Sequence, residues 1–341
     1  MTEFSAQPTT RSTRRHTSGE LWVHPVVSPR YYRYYLDGLE AVYGRKPRLR
    51  TTGFPELRDP KDGMAVILPD GRRLFIAAND FAVVDPAVTA WANVVGQVNV
   101  DPDVTYPPNV VPIGPSFGLP WSSRASLAAF VIRAGAMTDP SRMPAMLRDY
   151  LRANSERVPL GAYTIEHSAD DFVFFVASFW GNAPSANERR LRFLRAVQHR
   201  PELTLGGGFW SEKELPAGFG EFQLDRPVDH VEYVRRTKAS AFVFNTPAVH
   251  DCLGWKLGEF LALGKAIIST PLGRVMPGDF RSGEQIHIVE DSEDSILAAI
   301  DLLHHDRGYR SHLEESARRY WERFLRPDAV IRVLVDYAGE A

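Results

Sequence analysis

Apolar residues along this chain gather into short blocks with two different periods, and those blocks predict its secondary structure. The first stretch, 1–19, has Thr, Ser, Pro and Arg without aliphatic periodicity and reads as a disordered tail. Leu21-Trp22-Val23-His24 then reads as a short strand. Pro29 suits the first turn of a helix running through Leu36, Leu39, Val42 and Tyr43, and Arg48 to Thr52 starts the next strand. Met64 to Leu68 and Arg73 to Ala77 flank Pro69-Asp70-Gly71, whose Asp-Gly is a turn signal, so a hairpin is expected that departs from a pure doubly wound sheet. Strands are expected at Val94 to Val100 and Val110 to Ile113, and helices over Arg124 to Ala134 and Ser141 to Ala153. From Asn154 to Asp170 the periodicity is lost, and an interdomain linker is expected there.

The pattern beyond 170 is more regular. Phe172-Val173-Phe174-Phe175-Val176-Ala177-Ser178 is a continuous apolar run, as expected of a strand buried on both faces of a parallel sheet. Helix-period segments follow over Asn187 to His199, Val231 to Arg236, Leu253 to Leu263, Ser292 to His304 and Tyr309 to Phe324. Between them, Leu203 to Leu205, Ala241 to Phe244, Ala266 to Ser269 and Ile286 to Val289 read as strands. Strands alternating with helices of this length need crossover connections, so a parallel, helix-covered sheet is expected. Ligands of such sheets sit outside the carboxyl ends of the strands, which puts the loops after Ser178, Leu205, Phe244 and Ser269 on one cleft.

Length and composition narrow the picture. A chain of 341 residues accommodates two α/β domains, expected at 20–160 and 161–341. Apolar residues at 44% and charged residues at 24% are globular averages and exclude a collagenous or coiled-coil protein. With 40 basic against 42 acidic side chains there is no electrostatic excess for phosphate backbones, so nucleic acid is not an expected partner. The single cysteine, Cys252, makes neither an intrachain disulfide nor a thiolate cluster, which suits a reducing, cytoplasmic location. No apolar run reaches the length of a membrane span. Pro29-Arg30-Tyr31-Tyr32-Arg33-Tyr34-Tyr35 reads as an amphipathic surface helix with partly buried tyrosines and, at most, a peripheral membrane contact.

The residues that carry chemistry stand in His250-Asp251-Cys252-Leu253-Gly254-Trp255-Lys256-Leu257-Gly258-Glu259-Phe260-Leu261-Ala262-Leu263-Gly264-Lys265-Ala266-Ile267-Ile268-Ser269. A carboxylate, Asp251, precedes a short helix; Lys256 sits in its first turn and Glu259 one turn later. A sugar nucleotide needs a cation and helix N-terminal N–H groups for its diphosphate, and carboxylates for its hydroxyls. This stretch resembles the C-terminal domain of GT-B glycosyltransferases, above all the large retaining family of group 1 type. That family's signature is a Glu, seven residues, then a second Glu in E-A-L-A-x-G-x-P-V-I. Glu259 to Ile268 occupies the second half and Asp251 stands eight positions before Glu259. The departures are Asp251 for the first Glu, Phe260 for Ala and Ala266 for Pro. The resemblance spans roughly Phe172 to Phe324, and 1–160 carries no motif that aligns. Trp22-Val23-His24-Pro25-Val26 stands where the family keeps a glycine-rich loop.

The resemblance implies a GT-B fold, two Rossmann-like domains facing an interdomain cleft, with 20–160 on the acceptor side and 161–341 holding the nucleotide sugar. It implies transfer of a hexosyl or deoxyhexosyl group from a nucleoside diphosphate sugar to an acceptor hydroxyl, of a glycan, a lipid-linked acceptor or a small molecule, in the manner of polysaccharide biosynthesis. No metal and no cofactor are expected beyond the sugar nucleotide substrate. Asp251 would lie near the donor sugar, Lys256 would meet the diphosphate, and Glu259 would accept from the ribose hydroxyls. Arg189 or Arg190 would supply a second cation, and Arg274 is a third candidate. Gly207, in Gly206-Gly207-Gly208, would let the nucleotide approach the backbone. His24 stands where inverting GT-B enzymes often keep a catalytic base.

Each residue has a plain structural account beside the functional one. Lys256 and Glu259, three apart on a helix, also read as a solvated ion pair. Asp251 equally caps a helix at Leu253. Arg189 and Arg190 share a helix with Arg192 and Arg195, a solvated basic face. The glycines equally form a flexible turn, and a lone histidine is commonly structural. Two rivals stand: a non-catalytic sugar-nucleotide-binding or scaffold subunit of the same fold, and an inverting fucosyl-type or exostosin-type transferase. Other motifs fail on context. Gly114-Pro115-Ser116-Phe117-Gly118 spells a nucleophile elbow, but Pro120 follows too soon for the helix it requires. Gly258 to Lys265 is not a phosphate loop, because Ala266 replaces the Ser or Thr, and no Gly-x-Gly-x-x-Gly follows a strand. No His and carboxylate spacing indicates a metal site.

Overall fold

The computed structural model of the protein describes residues 19–154 and 157–340; apart from Gly19, the tail expected over 1–19 lies outside them. In chain order the elements are β1 (Trp22–Val23), α1 (Pro29–Tyr43), β2 (Arg48–Leu49), β3 (Met64–Ile67), β4 (Arg73–Ala77), α2 (Pro86–Trp91), β5 (Val94–Gln97), β6 (Val110–Pro112), α3 (Arg124–Met137) and α4 (Met143–Asn154). Then follow β7 (Phe172–Ser178), α5 (Pro184–Gln198), β8 (Thr204–Trp210), α6 (His230–Ala239), β9 (Val243–Asn245), α7 (Trp255–Ala262), β10 (Ile267–Ser269), β11 (His287–Ile288), α8 (Glu293–His305), α9 (Arg307–Tyr320) and α10 (Pro327–Glu340). They form two compact units: Met1–Arg157 with Arg274–Asp279 and Arg323–Ala341, and Val158–Gly273 with Phe280–Glu322. Among the described residues no helix is long and apolar enough to cross a membrane.

In the first unit a six-stranded sheet runs β2-β1-β3-β4-β5-β6. The Asp-Gly hairpin is present: β3 and β4 pair antiparallel from Met64↔Ile76 to Ile67↔Arg73, with Gly71 at φ 87°, a conformation only glycine adopts without strain. Since β3 is antiparallel to both β1 and β4, the remaining strands share one direction and present their carboxyl ends along one edge. Pro29 sets the first turn of α1, and Gly44, left-handed at φ 66°, ends it. Tyr32, Tyr34 and Tyr35 are each 1% exposed or less. Three of the four tyrosines expected to lie half out are therefore core, and Tyr31 alone is partly buried as expected. Against α1 packs α10, which the sequence reading did not anticipate. The crossing is close: a methyl on Gly38 would sit 2.2 Å from the Pro327 carbonyl oxygen. This packing places 323–341 with the first unit, whereas the sequence pattern predicts a second domain running from 161 to 341.

The second unit is parallel throughout. β7 pairs with β8 from Phe172↔Thr204 to Ser178↔Trp210, and β9, β10 and β11 form a second ladder. The Ala241 N–H donates to the Phe172 carbonyl at 2.7 Å, so the ladders β8-β7 and β9-β10-β11 adjoin along β7 and β9. The apolar run of β7 explains its central place. Phe175 meets Phe193 and Phe244 at ring centroid distances of 5.5 and 6.2 Å, and Phe193 stacks on Phe244 at 4.4 Å. From β7 the chain builds outward first on one side and then on the other, so the order reverses between β7 and β9. Such a reversal opens a crevice at the carboxyl ends of the two strands.

One prediction fails here for a clear reason. Gly206-Gly207-Gly208 is neither a loop nor a turn; it lies within β8, which continues past Leu205 to Trp210. A methyl on Gly207, at φ 107°, would sit 1.9 Å from the Phe175 carbonyl oxygen, and one on Gly208 would sit 2.1 Å from that of Phe222. Gly207 and Gly208 admit neighbouring backbone, which accounts for both glycines without a nucleotide.

Candidate active site

The crevice between β7 and β9 is framed by two loops, 179–183 leading into α5 and 246–254 leading into α7. In the second loop His250 and Asp251 are both left-handed, at φ 61° and 55°, a conformation that costs about 1–2 kcal/mol for each residue with a side chain. The Asp251 side chain is 66% exposed and lies 3.9 Å from the Arg189 guanidinium. It does not cap the helix: the N-cap of α7 is Gly254, with no side-chain bond. Asp251 borders a shallow surface recess with no enclosed volume, lined also by Asn245, Cys252, Gly254, Leu272 and Gly273 among others.

Two cations stand at the carboxyl end of β7. Lys256, in the first turn of α7, turns its ammonium inward to the Val176 carbonyl, 5.3 Å from the centroid of the Phe175 ring. Burial, reinforced by the charge of Arg190 and opposed by Glu259, brings its pKa down to about 7. Arg190 donates to the Ser178 carbonyl at 3.2 Å, and burial brings it down to about 10. Among the described residues neither forms an ion pair; each is met by a backbone carbonyl. Arg189 behaves differently, bonding Asp291 at 2.9 Å, an acid that Arg192 also holds. The structure thus separates two adjacent arginines that the sequence could not.

Glu259 is only 3% exposed. Its Oε1 accepts from the Tyr163 hydroxyl at 3.0 Å and pairs with His230 Nε2 at 2.8 Å. The Val158 N–H donates to His230 Nδ1, so a neutral ring carries its proton on Nε2 and donates it to Glu259. Burial, reinforced by the charge of Glu259, pushes the hydroxyl of Tyr233, whose ring stacks on His230, far above the usual tyrosine range. The solvated pair with Lys256 is therefore absent, and a carboxylate expected to await ribose hydroxyls is held by protein donors. Tyr163 and His230 were missed in the sequence because they lie 96 and 29 positions from Glu259 and share no pattern with it.

The other two candidates belong to the first unit. Arg274 pairs with Asp101 at 2.8 Å. His24, at the carboxyl end of β1, is 8% exposed. Its Nδ1 accepts from the Val26 N–H at 3.2 Å, and burial lowers its pKa.

The chain matches no family model and no curated protein. Among solved structures it is similar to the S. aureus MnaA–UDP co-structure, at 12% identity and a TM-score of 0.39, over 74% of this chain and 63% of that one. It is similar to a glycosyltransferase from Rickettsia africae ESF-5 at 10% identity and a TM-score of 0.39, over 72% of this chain and 63% of that one. It is also similar to the C-terminal domain of LpcC, a group 1 glycosyl transferase of Francisella tularensis, at 14% identity and a TM-score of 0.35, over 48% of this chain and 96% of that one. The chain thus spans less than two thirds of the length of the first two. At these identities and TM-scores the similarity carries over neither an activity nor any residue's role.

Proposed function

We propose that the chain is a glycosyltransferase whose second unit holds the diphosphate of a nucleoside diphosphate sugar at the carboxyl ends of β7 and β9, and that it transfers the sugar to an acceptor hydroxyl. The observation that supports this most is the pair Lys256 and Arg190 at the strand-order reversal. Both are cations in low-dielectric surroundings, and an anion placed against them relieves their desolvation and mutual repulsion. Such a pair also stabilises the charge that develops on a departing diphosphate, where each 1.4 kcal/mol removed from the barrier is about tenfold in rate. With the N-terminal end of α7 it does for the leaving group what a bound metal does elsewhere.

In this reading Asp251, exposed at the mouth of the recess, contacts the donor sugar. His24, whose pKa burial lowers, is the candidate base of the first unit. Arg274 and Arg189 are left to structural ion pairs. A thermal-shift series with UDP, GDP, dTDP, ADP and CMP tests the site: one nucleoside diphosphate stabilises the chain, and the shift disappears in Lys256→Ala. No shift with any of the five at millimolar concentration defeats the proposal.

Binding without turnover is the second reading, favoured by the engagement of Glu259 with Tyr163 and His230. It is distinguished by assaying release of the nucleoside diphosphate from the sugar nucleotide that binds. Release that is lost in Asp251→Asn selects the transferase, and tight binding with no release selects the binding subunit.

A further inference from the structure

One large apolar side chain at the same strand edge takes no part in the cation pair. Trp180 lies two residues beyond β7 and is 46% exposed. Its neighbour Phe179 turns the other way, into the core, with ring centroids 6.1 Å from Phe209 and 5.2 Å from Phe219. The backbone of Trp180 is held on both sides by one buried side chain. Asn187, 1% exposed in the first turn of α5, accepts from the Trp180 N–H at 3.2 Å and donates to its carbonyl at 2.7 Å. The Ala183 N–H donates to the same carbonyl at 3.0 Å. A buried amide devoted to a surface residue fixes the direction in which that residue's side chain leaves the loop.

The position of Trp180 indicates what would cover it. Arg190 reaches back to the carbonyl of Ser178, the last residue of β7, so the cation pair and the loop that carries Trp180 meet at the same strand end. A ligand that meets both presents an anionic group and, a short link away, a flat ring. Nucleoside diphosphates have this form, and any base offers a π-face to an indole. We propose that Trp180 is the platform on which the base of the nucleoside diphosphate stacks. This rests on the donor-site reading and adds to it a residue outside the Asp251 to Ser269 motif.

The test is titration calorimetry on the full chain with UDP, GDP, ADP and inorganic pyrophosphate. Trp180→Ala weakens the best-bound nucleotide about tenfold, the order expected for losing one stacked base. It leaves pyrophosphate binding unchanged, while Trp180→Phe keeps most of the nucleotide affinity and Lys256→Ala weakens both ligands. Equal losses for nucleotide and pyrophosphate in Trp180→Ala would mean that the residue only shapes the loop, and would overturn the assignment. So would an unchanged nucleotide affinity, with the donor site left standing. If the unaltered chain binds neither ligand, the donor site itself falls and the platform with it.

Discussion

At the scale of single residues, Lys256 has the clearest consequences. With a pKa near 7 its ammonium is only partly protonated at neutral pH, and a bound diphosphate favours the protonated form. Binding therefore takes up a proton and tightens as pH falls through about 7. Calorimetry with pyrophosphate in buffers of different ionisation enthalpy is expected to show that uptake near neutrality, and Lys256→Met is expected to abolish it. The unliganded chain follows the opposite course. Between about 7 and the ordinary lysine range the unfolded state holds a proton that the folded state lacks, so this group makes stability rise with pH there. Glu259 has a structural consequence that is separable from ligand binding. Glu259→Ala strands His230 Nε2–H and removes the carboxylate from the Tyr163 hydroxyl, costing about 1–3 kcal/mol for the buried imidazole donor left unpaired, while Glu259→Gln retains an acceptor oxygen and costs less. Urea unfolding of the two variants measures the difference.

At the scale of elements, β8 shows how a turn signature can belong to a strand. Three glycines after Leu205 read as a break because glycine is the usual residue of turns. Here the absence of side chains is what lets β8 lie against the Phe175 and Phe222 carbonyls. Gly207→Ala combines strain at φ 107° with a backbone collision, and is expected to cost more than about 2 kcal/mol, read as a lowered Tm without change in the C-terminal helices. The element boundaries that were legible are those with strong periodicity. β4 and the start of α1 fall where the pattern puts them, and β7 coincides with its apolar run, because a strand buried on both faces tolerates no polar interruption. α2 and α10 were missed, the first for its shortness and the second because its apolar face is completed only by α1.

At the scale of the whole molecule, the chain returns to its first unit after building the second, through 274–279 and 323–341. Truncation after Glu322 therefore removes α10 from beneath α1 and β5. Hydrogen exchange is expected to show lost protection in those two elements, while β7 and β9 keep theirs. Equal loss in both units would show that they do not unfold separately.

Residue order alone specified alternating strands and helices, the inserted hairpin, and one loop and helix bearing Asp251, Lys256 and Glu259. These are local properties, written in periods of two and 3.6 and in turn residues, and they survive without knowledge of the partners. Which arginine faces the strand end, what Glu259 bonds, whether the tyrosines of α1 are surface or core, and where the last helix docks arise from segments far apart in the chain. Their partners are selected by packing, and packing leaves no periodic trace in either segment by itself.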